Sequence, residues 1–284
     1  PSHNFDKNYA ELPEMILAAK NGDQDKIFDL LKHGAYIDEE DENGWTALVY
    51  AYRARHFDIA RLLIEKGANI HVKSSYGLTI LMGAAQNGNL DIAEILIQKG
   101  ARVNARNQHG ATALIYAAQS GNIDIVRLLL KNGANIHTTD KDLGSALMAV
   151  SMFGLYEVAE LLLRNKANPN SKNGYGNTAL SVCATFNQGD LARLLLKNGA
   201  MPDAKNYQGE TPLMRAAEYG NLDIAKLLVE SGANPNAKNF MGKTALIYAA
   251  EYGNLDIVRY LFSVGANINA IAKETGLRSL LEII

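Results

Sequence analysis

The stretch 242–266, GKTALIYAAEYGNLDIVRYLFSVGA, contains the pattern that decides the fold of this chain. Close copies begin at Gly209, as GETPLMRAAEYGNLDIAKLLVESGA, and at Gly110, as GATALIYAAQSGNIDIVRLLLKNGA. One marker leucine recurs every 33 residues, at Leu48, Leu81, Leu114, Leu147, Leu180, Leu213 and Leu246. A fixed period of this length is typical of a stacked repeat array, in which one unit cannot bury its apolar face alone.

Each unit is predicted to hold two helices and a turn. In the copy that starts at Gly110, Thr112 is the expected N-cap of a helix that runs to Gln119. A second helix is expected over 124–131, because its apolar residues recur on one face. Gly133 then ends this helix, since glycine takes positive φ freely. The polar residues that follow predict a projecting turn before the next unit.

The coupled positions G-x-T-A/P-L-x-x-A-A-x-x-G-N-x-D-I-A/V-x-L-L-x-x-G-A-x-x-N resemble the ankyrin repeat, and the resemblance covers residues from about 11 to 284. It implies an all-α ankyrin-repeat solenoid of helix-turn-helix units with β-turn or hairpin tips. We expect a single domain over 1–284. Its expected units are an N-terminal capping repeat at 11–43, repeats at 44–76, 77–109, 110–142, 143–175, 176–208, 209–241 and 242–274, and a partial C-terminal repeat or cap at 275–284.

Three residues depart from the glycines that close the helices of other units. Arg55 and Asn187 stand at the end of a first helix, and Lys166 stands at the end of a second helix. A residue other than glycine held at positive φ costs on the order of 1 kcal/mol, although asparagine tolerates that conformation better than most. Units five and six are therefore predicted to be irregular, as a local weak point or as a site shaped by a ligand.

Composition and charge exclude several classes of function. The net charge of −2 offers no basic footprint for duplex nucleic acid, and no apolar run is long enough to span a membrane. Cys183 is the single cysteine, so there is no internal disulfide framework. It takes the place of an alanine in other units, and we expect a small buried residue and not a nucleophile. A cytoplasmic or otherwise intracellular protein is expected, including the host cytosol for a secreted bacterial effector.

The residues that usually carry catalysis follow no catalytic spacing. The six histidines show no metal-ligand spacing, and there is no nucleophile elbow or phosphate-binding glycine loop. The many glycines fall on the 33-residue period, which explains them as helix ends and turns. We therefore predict that the chain is not an enzyme and has no metal site and no cofactor.

The positions that vary between units are the candidates for binding. In ankyrin-like stacks, the turn tips and the exposed side of the first helices form one concave surface that ligands usually use. From unit five onward these positions are rich in aromatic residues, which are enriched at interface hot spots. An alternative is that the aromatic side chains pack between neighbouring tips and stiffen the stack. The candidate partner-binding residues are Trp45, Tyr76, Met152, Phe153, Tyr175, Phe186, Tyr207, Glu218, Tyr219, Phe240, Met241, Glu251 and Tyr252.

A column of basic residues precedes the tips and provides candidate charged contacts. A basic row beside aromatic residues suits an acidic peptide, or the base and phosphate of a nucleotide. The alternative is an ordinary solvated edge. The members of this column are Lys73, Arg106, Lys172, Lys205 and Lys238.

These observations lead to one hypothesis and two alternatives. We expect a monomeric protein–protein interaction module or scaffold that binds a protein or peptide on its concave face, without much ordering on binding. One alternative is a small-ligand, nucleotide-like sensor on the same face. The other is a targeting domain of a larger enzyme or effector.

Overall fold

The computed structural model describes residues 12–141 and 144–267, and these residues form sixteen α-helices and no β-strand. The predicted all-α repeat fold is confirmed. The predicted partial repeat at 275–284 lies outside the described residues. In chain order the helices are α1 (Glu14–Asn21), α2 (Gln24–Lys32), α3 (Ala47–Arg53), α4 (Phe57–Glu65), α5 (Ile80–Asn87), α6 (Leu90–Gln98), α7 (Ala113–Gln119), α8 (Ile123–Lys131), α9 (Ala146–Phe153), α10 (Tyr156–Arg164), α11 (Ala179–Phe186), α12 (Gly189–Lys197), α13 (Pro212–Tyr219), α14 (Leu222–Glu230), α15 (Ala245–Glu251) and α16 (Leu255–Ser263).

The helices stack in two layers. Odd-numbered helices, which are the first of each unit, pack on one another, and even-numbered helices form the second layer. Each marker leucine lies on an odd-numbered helix and is at most 3% exposed. Buried alanines beside the leucines let neighbouring helices approach closely, and the buried side chains form one continuous cluster from Met15 to Ala266. The 33-residue period therefore reflects the stacking of one helix pair on the next.

The N-caps of the first helices are only partly as predicted. Thr112 is the N-cap residue of α7, which begins at Ala113 and ends at Gln119. Its hydroxyl, however, is buried and has no hydrogen-bond partner among the described residues, and the same holds for Thr46. The threonines at other N-caps do accept a backbone N–H, as Thr211 does from Met214 at 3.4 Å.

The three expected departures from glycine adopt the left-handed backbone conformation. Arg55 has φ 65°, Lys166 has φ 67° and Asn187 has φ 56°, which confirms the irregular helix ends of these units. At Gly199, one period after Lys166, φ is 87°, and an added Cβ would meet no atom within 4 Å. The demand for glycine at this place therefore comes from backbone conformation and not from crowding.

A second set of residues on the 33-residue period builds the tips. Asn173 shows the pattern: its Oδ1 accepts the backbone N–H groups of Tyr175 and Asn177, each at 3.0 Å. Short side chains with an oxygen stabilise turns in this way. Isolated bridges, such as Glu40 with Thr46, close the tips as short hairpins. The residues at this position are Asp41, Ser74, Asn107, Asp140, Asn173, Asn206 and Asn239.

Candidate interaction surface

Four aromatic side chains, which we call the aromatic row, stand at the ends of consecutive first helices. They are 33 residues apart in sequence and lie at the ends of α9, α11, α13 and α15. Their exposed fractions are 51% for Phe153, 47% for Phe186, 53% for Tyr219 and 57% for Tyr252. None of the four takes part in a ring–ring contact among the described residues. The rings of this row therefore do not stack on one another, and their packing between neighbouring tips stays an alternative.

The residues that precede the aromatic row change character along the stack. Met152 is half-buried, whereas Glu218 accepts a hydrogen bond from Arg215 at 2.6 Å. Glu251 accepts from the Lys243 ammonium at 2.8 Å. The negative charge of Glu218 raises the pKa of the neighbouring Tyr252 phenol. The predicted residues Glu218, Glu251 and Tyr252 thus belong to one charged end of the surface, in units seven and eight.

Exposed apolar side chains project from the tips on the other side of this surface. Backbone hydrogen bonds tie successive tips together, as between Tyr207 N and Tyr175 O at 3.1 Å and between Phe240 N and Gln208 O at 3.0 Å. A Cβ on Gly176 would lie only 2.7 Å from Tyr207 N, so the tips touch where glycine stands. The predicted tip residues and their exposed fractions are Tyr76 63%, Tyr175 58%, Tyr207 61%, Phe240 77% and Met241 65%.

Glu210 is a partly buried carboxylate on this surface, at a position that varies between units. It accepts hydrogen bonds from Tyr248 Oη at 2.6 Å and from Asn206 Nδ2 at 2.8 Å, and Arg215 lies 3.7 Å away. Burial acts to raise the pKa of Glu210, but the two donors and the guanidinium outweigh it, and the pKa is lowered. Glu210 therefore links units seven and eight as a carboxylate.

Tyrosines at the middle of three first helices brace the tip that directly precedes their own helix, and sequence reasoning missed them. Tyr50 Oη donates to Asp41 at 2.8 Å, and Asn107 Nδ2 donates to Tyr116 Oη at 2.9 Å. Tyr248 accepts from Asn239 in the same register, at 3.2 Å. The signal in the sequence is the constant separation of nine residues between the tyrosine and its turn residue.

The basic column forms ties between repeats. Arg106 Nη2 donates to Thr139 O at 2.7 Å, and Lys172 Nζ donates to Lys205 O at 2.7 Å. Lys205 Nζ donates to Lys238 O at 2.9 Å. Each of these three cations therefore binds a backbone carbonyl one period later, which neither of the two sequence-based interpretations included. Contact of these residues with a partner stays a prediction.

Trp45 lies beside a pocket near the other end of the stack. The Arg53 guanidinium lies 4.3 Å from the centre of its ring, and Tyr50 packs edge-on at 5.8 Å. The pocket has a volume of about 330 Å³. Residues of the tips and of the first helices line this pocket together, so it lies between these two parts of the surface. Part of its lining is Trp45, Val49, Leu78, Met82 and Tyr116.

The single cysteine is buried in the core, as expected. Cys183 is fully buried, and burial raises the pKa of its thiol to about 12. Within 12–141 and 144–267, no cluster of three or more His, Cys, Asp or Glu is placed to hold a metal ion. In the same parts of the chain, no helix is long and apolar enough to cross a membrane.

Comparison with protein families agrees with this architecture. The family model for ankyrin repeats (3 copies) matches residues 15–107, 68–140, 147–239 and 208–272. Together these matches run through nearly all of the described residues.

Proposed function

Because this chain belongs to the ankyrin-repeat family, whose repeats generally act as protein-interaction modules, we propose that it binds a protein or peptide on the surface formed by its tips and first helices. The aromatic row carries this proposal. Four consecutive repeats each leave about half of one aromatic side chain in water. Isolated exposed apolar residues need no explanation, but a contiguous apolar patch marks an interaction site.

The spacing of the row suits an extended partner or a helix laid across the repeats. Packed helices lie 8–10 Å apart, so four successive helices set the row over about 30 Å. In the first three full repeats, the same position holds Ala54, Asn87 and Ser120. The aromatic character is thus confined to units five to eight, where Tyr and Phe anchors supply large contact area with little loss of side-chain entropy.

Rigidity favours binding on this surface. The tips are tied to one another by backbone hydrogen bonds, and the basic column adds side-chain ties between the same repeats. A surface that is already ordered loses little conformational entropy when a partner binds, so more of the contact energy appears as affinity.

The test compares partner capture by the wild-type chain and by the double variant Tyr219→Ala/Tyr252→Ala. We expect partners retained by the wild-type chain to bind the variant at least about tenfold more weakly, because hot-spot aromatics each contribute more than 1 kcal/mol. The matched control is Tyr36→Ala/Phe262→Ala, which removes two exposed rings away from the row (69% and 47% exposed). Equal loss of binding in both variants, or none in either, would contradict the proposal.

The thermal stability of the same variants separates binding from packing. Since both tyrosines are half-exposed, their removal is expected to leave the unfolding temperature nearly unchanged. A large fall in stability with binding intact would assign the rings to the stiffening of the stack.

The small-ligand alternative has weaker support. It requires Lys172, Lys205 or Lys238 to hold a phosphate, yet Lys172 and Lys205 already donate to backbone carbonyls of the next repeat. Thermal-shift measurements with nucleotides test it directly, because a ligand at 100 times its Kd adds about 2.7 kcal/mol to the free energy of unfolding.

A further inference from the structure

The pocket beside Trp45 is built by residues that depart from the repeat pattern, and we propose that it receives a bulky apolar side chain of a partner peptide whose neighbouring residues are Lys or Arg. This inference rests on the proposed function, because it assigns a second contact and a partner chemistry to the same surface. The pocket lies in units two to four, apart from the aromatic row.

Two residues that depart from the repeat pattern make the walls of the pocket apolar. Trp45 and Leu78 stand one period apart, at a position where later units carry Ala111, Gly144, Asn177, Glu210 and Lys243. Leu78 is 37% exposed, so part of this apolar surface faces water. Trp45 is half-buried and holds the Arg53 guanidinium on its ring. Units two and three thus present apolar walls where units six to eight present polar or charged groups.

A third departure from the repeat pattern lies in the lining of the pocket. Gly83 stands where units two and four have Tyr50 and Tyr116, and all three occupy the same place on consecutive first helices. The Tyr52 ring occupies the space beside Gly83, and Tyr52, Met82 and Tyr116 line the pocket together with Gly83. The volume of about 330 Å³ is at the small end of ligand pockets, which suits one or two peptide side chains.

The charge beside the pocket favours a basic peptide. Residues 38–42, DEEDE, hold five carboxylates and lead directly to Trp45. The side chains of Glu39, Glu40 and Glu42 are exposed and form no hydrogen bond or ion pair with other described residues. Against these five charges, the pocket lining holds one cation, Arg53. Complementary charge of this kind steers a partner and fixes its orientation.

Asp41 holds the acidic tip against the pocket. Its Oδ1 accepts the backbone N–H of Trp45 at 2.8 Å, and its Oδ2 accepts from Tyr50 at 2.8 Å. Burial acts to raise the pKa of Asp41, but these hydrogen bonds outweigh it and the pKa is lowered. The Trp45 ring and the acidic tip are therefore positioned together, and a peptide seated on one lies beside the other.

The intrinsic fluorescence of the chain gives a direct assay, because Trp45 is the only tryptophan. Three acetylated peptides serve as probes: Lys-Arg-Leu-Lys-Arg, the same peptide with Gly in place of Leu, and Glu-Asp-Leu-Glu-Asp. We expect the first to change Trp45 emission with saturation, and the other two to bind at least about tenfold more weakly. Added salt should weaken the binding of the basic peptide.

Two variants and a control locate the effect. Leu78→Lys puts a charge in the pocket wall and should abolish the preference for Leu over Gly. Glu39→Gln/Glu40→Gln/Glu42→Gln should remove the preference for the basic over the acidic peptide while the apolar wall is intact. Met201→Lys changes an exposed apolar residue outside the groove lining (60% exposed) and should alter neither preference. The triple variant keeps the test valid if Leu78→Lys reduces folding, which circular dichroism measures.

Opposite results would overturn the inference. They are an acidic peptide that binds as well as the basic one, binding that is indifferent to the central Leu, no binding of any probe, or binding that leaves Trp45 emission unchanged. Any of these outcomes, found while the Tyr219→Ala/Tyr252→Ala variant still loses partner capture, rejects the pocket and leaves the proposed function standing.

Discussion

The ring of Tyr52 occupies the space directly against the backbone of Gly83 on the neighbouring helix. A Cβ on Gly83 would lie 2.8 Å from Tyr52 Cε1. Tyr52 stands where most other units have alanine, and Gly83 stands where three other units have tyrosine. The Tyr52 hydroxyl accepts hydrogen bonds from Asn87 at 3.0 Å and from Asn89 at 3.3 Å. The large residue of unit two therefore fits because unit three has no side chain at this position.

The first prediction concerns this pair. Gly83→Ala should lower the free energy of unfolding by about 1–2 kcal/mol, because overpacking of the tightly held Tyr52 ring outweighs the gain in helix propensity. In a Tyr52→Ala background, the same change should be stabilising by about 0.5–1 kcal/mol, since only the propensity gain remains. Urea unfolding followed by Trp45 fluorescence measures both. Additive effects in this double-mutant cycle would show that the two residues are not coupled.

The second prediction concerns the backbone strain at Lys166. Lys166→Gly should stabilise the chain by about 0.5–1 kcal/mol, because glycine takes φ 67° without the steric penalty of a Cβ. The matched control is Gly199→Lys, which puts lysine into the same place one repeat later, where nothing obstructs its Cβ. It should destabilise by a similar amount, as measured by urea unfolding. The changes in the free energy of unfolding should have opposite signs in the two variants. Changes of the same sign would reject backbone strain as the cause.

Much of the fold was predictable because each unit packs on its neighbour in the same way. Burial of Leu48 or Leu213 follows from the period alone, since a first helix always meets another first helix. The positive φ of Lys166 was predictable for the same reason. The turn residue Asn173 lies on this period too, so its role was within reach of the sequence.

Contacts between different positions of successive units were harder to predict. Tyr52 and Gly83 depart from the pattern at two separate places, 31 residues apart, and only the stacking brings them together. The Lys172 ammonium binds a backbone carbonyl, which every residue possesses, so no sequence pattern marks its partner. The aromatic row was predicted to be exposed because its members fall on outward positions of the repeat. The chemistry of a partner depends instead on surfaces that several units build together, such as the Trp45 pocket.

The third prediction concerns Cys183. Because the thiol is buried in the core and its pKa is raised to about 12, almost no reactive thiolate forms near neutral pH. We expect no reaction with Ellman's reagent at pH 8 in the folded chain and one equivalent of reaction in guanidinium chloride. Any slow reaction in the folded state should follow the local opening of the repeats around Cys183. Fast reaction without denaturant would contradict a sealed core at units five and six.

The fourth prediction concerns the link between units seven and eight. Tyr248 Oη donates to Glu210, whose pKa is lowered in the folded chain, whereas the unfolded chain has the ordinary value of 4.5. The folded state therefore binds this proton less readily, so the stabilisation is fully present above pH 4.5 and is lost as the pH falls through the folded-state pKa. Glu210→Gln should cost about 1–2 kcal/mol at pH 7 and flatten this part of the acid dependence.

The pH dependence of Tyr248→Phe tests whether the hydroxyl causes the effect. Without this donor, the pKa of Glu210 should return toward its ordinary value, so the variant should lose stability at pH 7 and show a smaller further loss in acid than the wild-type chain. Tyr116→Phe is the matched control, because its hydroxyl accepts a hydrogen bond from the neutral amide of Asn107. Thermal unfolding from pH 7 to pH 3 compares the three chains. Glu210 is the group that titrates, and Tyr248 only donates a hydrogen bond to it. If the unfolding temperatures of Tyr248→Phe and Tyr116→Phe depend on pH in the same way, the short hydrogen bond does not lower the pKa of Glu210.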